Sequence, residues 1–133
     1  MRRGRALFLA LLLGGCAPAV PNVCSKALAP ARMAYLFFGR ARTRTSEVTQ
    51  KQWRQFVQTT LTHEFPKGFS VLDGRGYWQG PQRATFEASK VVLIVLPGRA
   101  QDLDRLEAVR AAYKRRFHQE SVLEWIDAGC ASF

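Results

Sequence analysis

The apolar residues of the chain follow two spacings, and together these predict four strands and two helices. Four short runs rich in β-branched and aromatic residues have strand character. They cover residues 34–39, 69–79, 85–96 and 121–126. Apolar residues at helical spacing predict one helix that ends near Phe65 and a second helix after Asp102. The predicted order is therefore strand, helix, strand, strand, helix, strand.

Local signals refine the ends and the interior of these elements. Ser46 or Thr49 can cap the first helix, and Asp102 can cap the second. Gly74-Arg75-Gly76 interrupts the second strand. Two glycines that flank one residue suit a bulge or bend in a long strand, or else a tight turn.

This order of elements matches the ferredoxin-like topology. We expect an α+β, two-layer sandwich of the order β-α-β-β-α-β, in which a four-stranded antiparallel sheet carries both helices on one face. The first strand is nevertheless apolar on both faces, with Tyr35 and Phe37 opposite Leu36 and Phe38. The second face therefore needs cover. A second copy of the chain is the preferred hypothesis, ahead of the N-terminal segment or an apolar ligand.

The first 15 residues have the pattern of a secretory signal peptide: a basic head, an apolar run over residues 6–13, and two glycines. This run is much shorter than the roughly 20 residues of a membrane span. Leu13-Gly14-Gly15-Cys16 resembles the bacterial lipobox. The resemblance implies cleavage before Cys16, acylation of Cys16 with chains such as palmitate, and a firm attachment to membranes.

These features divide the chain into a signal peptide over residues 1–15, a lipidated cysteine with a Pro/Ala-rich tether over 16–31, and one domain over 32–133. Ala17 stands where the lipobox resemblance would place Asp for retention at the inner membrane. We therefore expect an outer-membrane protein that faces the periplasm, if the organism has two membranes.

The remaining cysteines, Cys24 and Cys130, lie near the two ends of the mature chain. Export places them in an oxidising compartment, where we expect them to form a disulfide. The predicted topology supports this pairing, because it makes the first and last strands neighbours. No metal site is expected, since the chain has no Cys-x-x-Cys and neither His63 nor His118 has a partner at ligand spacing.

The formal charge of +10 suggests a nucleic-acid binder at first sight. Removal of the signal peptide takes away three arginines and leaves +7. Export also separates the protein from nucleic acid, so we expect none as a partner. Contact with an anionic glycolipid or envelope polymer is one interpretation of the basic surface. A solvated surface without a partner is the other.

Three residues are candidates for a catalytic site: Tyr35, Trp78 and Glu120. Trp78 follows the glycine-containing interruption and could line a cleft, while Glu120 precedes the last strand. Ser89 and Lys90 are unsuited to act as a nucleophile and base, because neighbours on a strand point to opposite faces. No nucleotide loop, zinc signature or calcium loop is present, and no cofactor is expected.

Several motifs make the chain resemble the domain of unknown function 3574 family, over roughly residues 33–133. They include Tyr35-Leu36-Phe37-Phe38-Gly39, Phe65-Pro66-Lys67-Gly68-Phe69, Trp78-Gln79-Gly80 and Gln119-Glu120-Ser121-Val122-Leu123. The resemblance implies a small exported or lipid-anchored bacterial protein. It implies no activity, substrate or cofactor.

The main functional expectation is a lipid-anchored protein of the cell envelope that acts as a binding or interaction module. The alternative is a small cofactor-free enzyme of the dimeric α+β barrel type, with a pocket on the sheet face. A deep, partly polar pocket that contains two of the three candidate side chains would favour the enzyme. A flat apolar face would favour the binding module.

Overall fold

The computed structural model describes residues 24–42, 46–79 and 84–132. The predicted signal peptide and Cys16 lie outside this range. No helix in the described part of the chain is long and apolar enough to cross a membrane. The strands are β1 (Ala29–Gly39), β2 (Ser70–Gln79), β3 (Ala84–Leu96) and β4 (Leu123–Ala131). The helices are α1 (Gln50–Phe56), which continues through a π-helical turn (Val57–Leu61) into α2 (Thr62–Glu64), and α3 (Asp102–Phe117).

The four strands form one antiparallel sheet in the order β2-β3-β1-β4. Tyr35 in the middle of β1 pairs with Leu93 on one side and with Trp125 on the other. The predicted α+β arrangement of four antiparallel strands and two helical segments is confirmed. The first and last strands are neighbours, as this topology requires.

The hydrophobic core lies between the helices and one face of the sheet. Side chains alternate along a strand, so Ala34, Leu36 and Phe38 are buried there, while Tyr35 and Phe37 point to the opposite face. An aromatic cluster fills the part of the core nearest the end of β1. Its rings belong to Phe38, Trp53, Phe56, Tyr113 and Phe117.

Strand β1 begins at Ala29, so the last residues of the predicted tether belong to the sheet. Ala29 pairs with Ala131, and Pro30 pairs with Cys130. Proline is tolerated here because the pairing of β1 with β3 starts only at Arg32, which leaves one side of β1 open. The predicted disulfide between Cys24 and Cys130 is confirmed and joins the chain ahead of β1 to β4.

Gly74-Arg75-Gly76 forms neither a turn nor a bulge. The register with β3 runs through it without a break, from Gly74 opposite Ser89 to Gly76 opposite Glu87. The glycines are needed for close approach: a Cβ on Gly74 would lie 2.9 Å from the Ser89 hydroxyl oxygen. The interruption of the strand pattern in the sequence therefore corresponds to two glycines within one continuous strand.

The N-terminal cap of α1 agrees with the prediction, whereas that of α3 differs from it. Thr49 caps α1 in a capping box with Gln52, as predicted. The cap of α3 is Gln101, and the prediction of Asp102 as the cap is wrong. Asp102 is the first residue of the helix, and its buried carboxylate accepts hydrogen bonds from the backbone N–H groups of Gly98 and Arg99, at 3.1 and 2.8 Å.

Candidate active site

The sheet face away from the helices, here called the open face, carries half-exposed apolar side chains. Tyr35, Phe37 and Leu93 lie near its centre, and Trp125 is 58% exposed beside them. The sheet has two distinct ends. At the cleft end β1 finishes at Gly39 and β4 begins, whereas at the disulfide end β1 begins and β3 finishes.

A cleft of about 500 Å³ lies on the open face at the cleft end. Residues from all four strands, from the segment after β1 and from the connection between α3 and β4 line it. They include Phe37, Trp78, Glu87, His118 and Glu120. The lining is partly polar, and it brings an indole, an imidazole and two carboxylates to one depression.

Trp78 reaches the cleft from β2, close to the end of that strand. Its indole folds back across Gly76, where a Cβ would lie 2.5 Å from the indole Nε1. Because Gly76 has no side chain, the ring can lie along the sheet instead of standing out from it. The side chain keeps 37% of its surface exposed and offers an aromatic surface to a ligand.

Glu87 holds a defined position in the wall of the cleft. Its Oε2 accepts a hydrogen bond from the backbone N–H of Ala41 at 2.8 Å. Its Oε1 lies against Gly39, where a Cβ would be 2.7 Å away. A glycine at position 39 therefore allows the carboxylate to approach the end of β1 and to bond to the residue that follows it.

Hydrogen bonds from two side chains, one buried and one partly buried, hold the segment that runs from Gly39 to Ala41. The hydroxyl of Tyr113 donates to the carbonyl oxygen of Gly39 at 2.9 Å. The amide of Gln119 donates to the carbonyl oxygen of Ala41 at 2.6 Å. Burial raises the pKa of Tyr113 well above its usual range, so its hydroxyl stays protonated and remains a donor.

The connection between α3 and β4 forms the remaining wall. His118 follows the helix in the left-handed conformation, with φ of 56°, and donates its backbone N–H to the carbonyl of Lys114. This turn carries Glu120 and Ser121 to the rim, where Arg42 also lies. The cleft thus presents carboxylates and a guanidinium at its opening.

Two of the three candidate residues, Trp78 and Glu120, line this cleft. Tyr35 lies near the middle of the open face, between Leu93 and Trp125, and is outside the lining. Glu87 was missed by the sequence reasoning. The signal that could have identified it is that Glu87 is the one acidic residue of β3, placed so that it points to the open face.

Other ionisable and nucleophilic side chains lie outside the cleft. Lys90 points to the helix side and pairs with Asp73 on β2, while Ser89 points to the open face, so they face apart as expected. A second depression of about 730 Å³ lies on the open face towards the disulfide end, but Met33, Leu93 and Val95 make much of it apolar. Within residues 24–42, 46–79 and 84–132, no group of three His, Cys, Asp or Glu side chains could hold a metal ion.

Comparison with solved structures places this fold beside a known enzyme. A phage SAM lyase in complex with S-methyl-5'-thioadenosine is similar with a TM-score of 0.62 and 15% identity, over 84% of this chain and 96% of the lyase. The apo state of a phage SAM lyase has a TM-score of 0.57 and 17% identity, over 90% of this chain and 97% of that one. At this identity the likeness shows a common fold. No curated protein sequence matches the chain.

These similarities correct the main functional expectation. A binding or interaction module is contradicted, because two solved structures that share the fold are those of an enzyme. The alternative of a small enzyme with a pocket on the sheet face has better support. In sequence, residues 33–133 match the family model described as "Protein of unknown function (DUF3574)".

Proposed function

The chain belongs to the DUF3574 family, and we propose that this member is a small enzyme whose active site is the open-face cleft. The observation that carries the proposal is the convergence of Trp78, Glu87 and Glu120 in that cleft. These residues come from β2, from β3 and from the connection after α3. Two of them, Trp78 and Glu120, are candidates chosen from the sequence, and their presence in one partly polar pocket supports an enzyme.

The side chains of the cleft suit a small ligand that carries positive charge or an aromatic ring. The Trp78 indole can stack on a ring or contact a cation through its face. The Glu87 and Glu120 carboxylates attract a cation and accept protons, while Arg42 at the rim can pair with a carboxylate of the same ligand. Glu87 is held by the Ala41 N–H, so we assign it to binding, and we assign the freer Glu120 to proton transfer.

We assign this cleft to the lyase class, on the basis of the fold shared with the phage SAM lyase. In an elimination from a sulfonium compound, the carboxylate of Glu120 accepts a proton from carbon. The electrons of that C–H bond form a double bond. The C–S bond breaks, and the neutral thioether leaves with its electron pair. This step needs no oxidant or reductant.

The direct test is to incubate the purified protein with SAM and to measure S-methyl-5'-thioadenosine by chromatography with mass detection. We expect this product to form. We also expect added S-methyl-5'-thioadenosine to bind the protein, as measured by calorimetry. Trp78→Ala should weaken this binding about tenfold or more, because it removes the stacking surface. Glu120→Gln should lower the turnover rate by about 10²-fold or more while it leaves binding nearly unchanged.

Matched controls use residues of the same type outside the cleft. Asp104→Asn removes an exposed carboxylate near the start of α3, and Phe86→Ala removes a ring that is 79% exposed on the hairpin. Both variants should behave like the unchanged protein. Absence of both binding and turnover, or equal losses in the control variants, would contradict a lyase site in this cleft.

We further propose that a second copy of the chain covers the open face. Leu72, Leu123 and Trp125 are 53%, 47% and 58% exposed on that face, which supports an apolar contact between two sheets. Such a contact would also deepen the cleft, which lies at the border of the same face.

For location, we propose export, lipidation at Cys16 and attachment to the outer membrane. The disulfide between Cys24 and Cys130 supports an oxidising compartment, where such bonds form and persist. The lipobox-like motif and the basic, apolar leader supply the rest of the argument.

A further inference from the structure

Basic residues occupy the three connections at the disulfide end of the sheet. Lys26 lies before β1, Lys67 lies between α2 and β2, and Arg99 lies between β3 and α3. All three are exposed, and none forms an ion pair with another described residue. Their side chains are therefore available to an anionic surface.

The connections themselves contain no acidic residue, and the carboxylates nearest to them, apart from that of Asp102, are those of Glu64 at the end of α2 and Asp127 on β4. Residues 24–28, 65–69 and 97–101 contain no Asp or Glu. Asp102 comes directly after the last of them, but its buried carboxylate turns back to the N–H groups of Gly98 and Arg99. The next acidic residue, Asp104, is exposed and lies in the first turn of α3, beyond the connection. The cleft end differs, since Glu47 and Glu120 are exposed there.

Apolar side chains accompany the basic ones. Leu28 is 38% exposed beside Lys26, and Leu103 is 49% exposed at the start of α3. Lysine and arginine next to exposed leucine form the combination that peripheral proteins use at a lipid surface. The basic groups contact phosphates, and the apolar groups enter the boundary between headgroups and acyl chains.

The described part of the chain begins at this end of the sheet. Cys24 stands eight residues after Cys16 and is bonded to Cys130 at the end of β4. Eight residues reach at most about 29 Å when fully extended. A lipid on Cys16 would therefore hold the disulfide end within that distance of the bilayer.

We propose that the disulfide end, defined by Lys26, Lys67, Arg99, Leu28 and Leu103, docks on an anionic lipid bilayer. The cleft lies at the opposite end of the strands and so faces away from the membrane, open to small molecules. The Coulombic attraction of about three basic residues supplements the lipid anchor and sets the orientation of the domain.

The test uses the full processed chain, purified in detergent and reconstituted into vesicles. One set of vesicles contains phosphatidylcholine alone, and the other contains an added fraction of phosphatidylglycerol. Amide hydrogen exchange is measured in the two sets. We expect exchange in residues 25–28, 67–69 and 98–103 to slow by about fivefold or more on the anionic vesicles only, and high salt to reverse the effect.

Variants separate this docking from a simple tether. Lys67→Glu with Arg99→Glu should abolish the protection, while Arg54→Glu with Arg115→Glu, the same charge change at other exposed positions, should preserve it. The midpoint of thermal unfolding checks that all variants are folded. Equal protection on neutral vesicles, protection of residues 118–121 instead, or loss of protection in both pairs of variants would overturn the proposal.

Discussion

Gly39 lies where β1 meets the cleft, and its missing side chain decides how closely Glu87 approaches. A Cβ at this position would lie 2.7 Å from Oε1 and 3.0 Å from Cδ of Glu87. The carboxylate is the end of a flexible side chain, so it can move aside, but it then loses the N–H of Ala41. The position of the Glu87 carboxylate in the candidate site therefore depends on a glycine at position 39.

We expect Gly39→Ala to lower the free energy of unfolding by about 1.5–3 kcal/mol, the cost of one hydrogen bond to a charged group. It should also weaken ligand binding in the cleft. Gly129→Ala is the matched control, because a Cβ there would have nothing within 4 Å. Chemical denaturation of both variants measures the difference. In a Glu87→Ala background the cost of Gly39→Ala should disappear; an unchanged cost would refute the contact between the two residues.

Tyr113 permits a prediction about pH. Burial raises its pKa above the ordinary value near 10; the charge of Arg40 opposes the rise, and that of Glu87 adds to it. Above pH 10 the unfolded chain releases this proton while the folded chain keeps it. The free energy of unfolding should therefore fall by about 1.4 kcal/mol per pH unit above pH 10, whereas at lower pH this group adds no pH dependence.

Denaturation curves between pH 9 and pH 11.5 measure this slope. Tyr113→Phe should remove that part of it and should also cost about 1–2 kcal/mol at pH 7, because the buried carbonyl of Gly39 loses its donor. Tyr77→Phe, at a position 57% exposed, is the matched control and should leave the slope unchanged. Identical slopes in the two variants would contradict the assignment.

At the scale of elements, sequence reasoning was most accurate where one local rule dominates. The capping box at Thr49 and the two-sided apolar character of β1 follow from neighbours in sequence. It was less accurate where a distant partner decides the conformation. Pairing with Cys130 and Ala131 extends β1 back to Ala29, and pairing with β3 keeps β2 straight through its glycines.

The open face of the sheet yields a prediction about assembly. If a second copy covers it, Trp125→Lys should convert a dimer into a monomer, because a charge would enter an apolar contact. Light scattering coupled to gel filtration gives the mass directly. Leu103→Lys, on α3 and away from this face, is the control and should leave the mass unchanged. A single-chain mass for the unchanged protein would rule out the dimer.

At the scale of the whole molecule, the disulfide closes a loop that encloses all four strands except the last residue of β4. The two cysteines are 106 positions apart. In the chain-entropy model a loop of this length contributes about 4–5 kcal/mol, and measured values for native disulfides are typically 2–5 kcal/mol. Most of this effect lies in the unfolded chain, which the bridge makes more compact.

We expect Cys24→Ala with Cys130→Ala to lower the free energy of unfolding by about 2–5 kcal/mol. Ser25→Ala is the control, since it changes an exposed residue next to Cys24 and leaves the bridge intact. Urea denaturation without reductant compares the three proteins. Equal stability of the double variant and the unchanged protein would show that the bridge adds nothing to the fold.

Cys16→Ser tests the proposed lipid anchor. The change should release the protein from the membrane fraction or block its processing, because the acyl chains would have no sulfur to carry them. Membrane fractionation measures release of the protein, and mass spectrometry of the protein shows whether the leader has been removed. Unchanged fractionation with membranes would contradict lipidation at Cys16.

The candidate site shows the same division between local and distant information as the elements do. Trp78 and Glu120 could be chosen from sequence because each lies beside a local marker: Trp78 follows a glycine pair, and Glu120 precedes the start of a strand. Their neighbours in the cleft could not. Glu87 matters because of Ala41, 46 positions away. Tyr35 was also a candidate, on the strand expected to lie next to the last one, but the register places it in the middle of the sheet and outside the cleft.

The sequence by itself determined the order of strands and helices, the antiparallel sheet, the pairing of Cys24 with Cys130 and the apolar character of the open face. These follow from periodicity and from topology, which act over short stretches or constrain the chain as a whole. Only the tertiary structure decided the cleft. Its walls depend on hydrogen bonds from Tyr113 and Gln119 to residues 74 and 78 positions away, and such contacts have no local pattern that would reveal them.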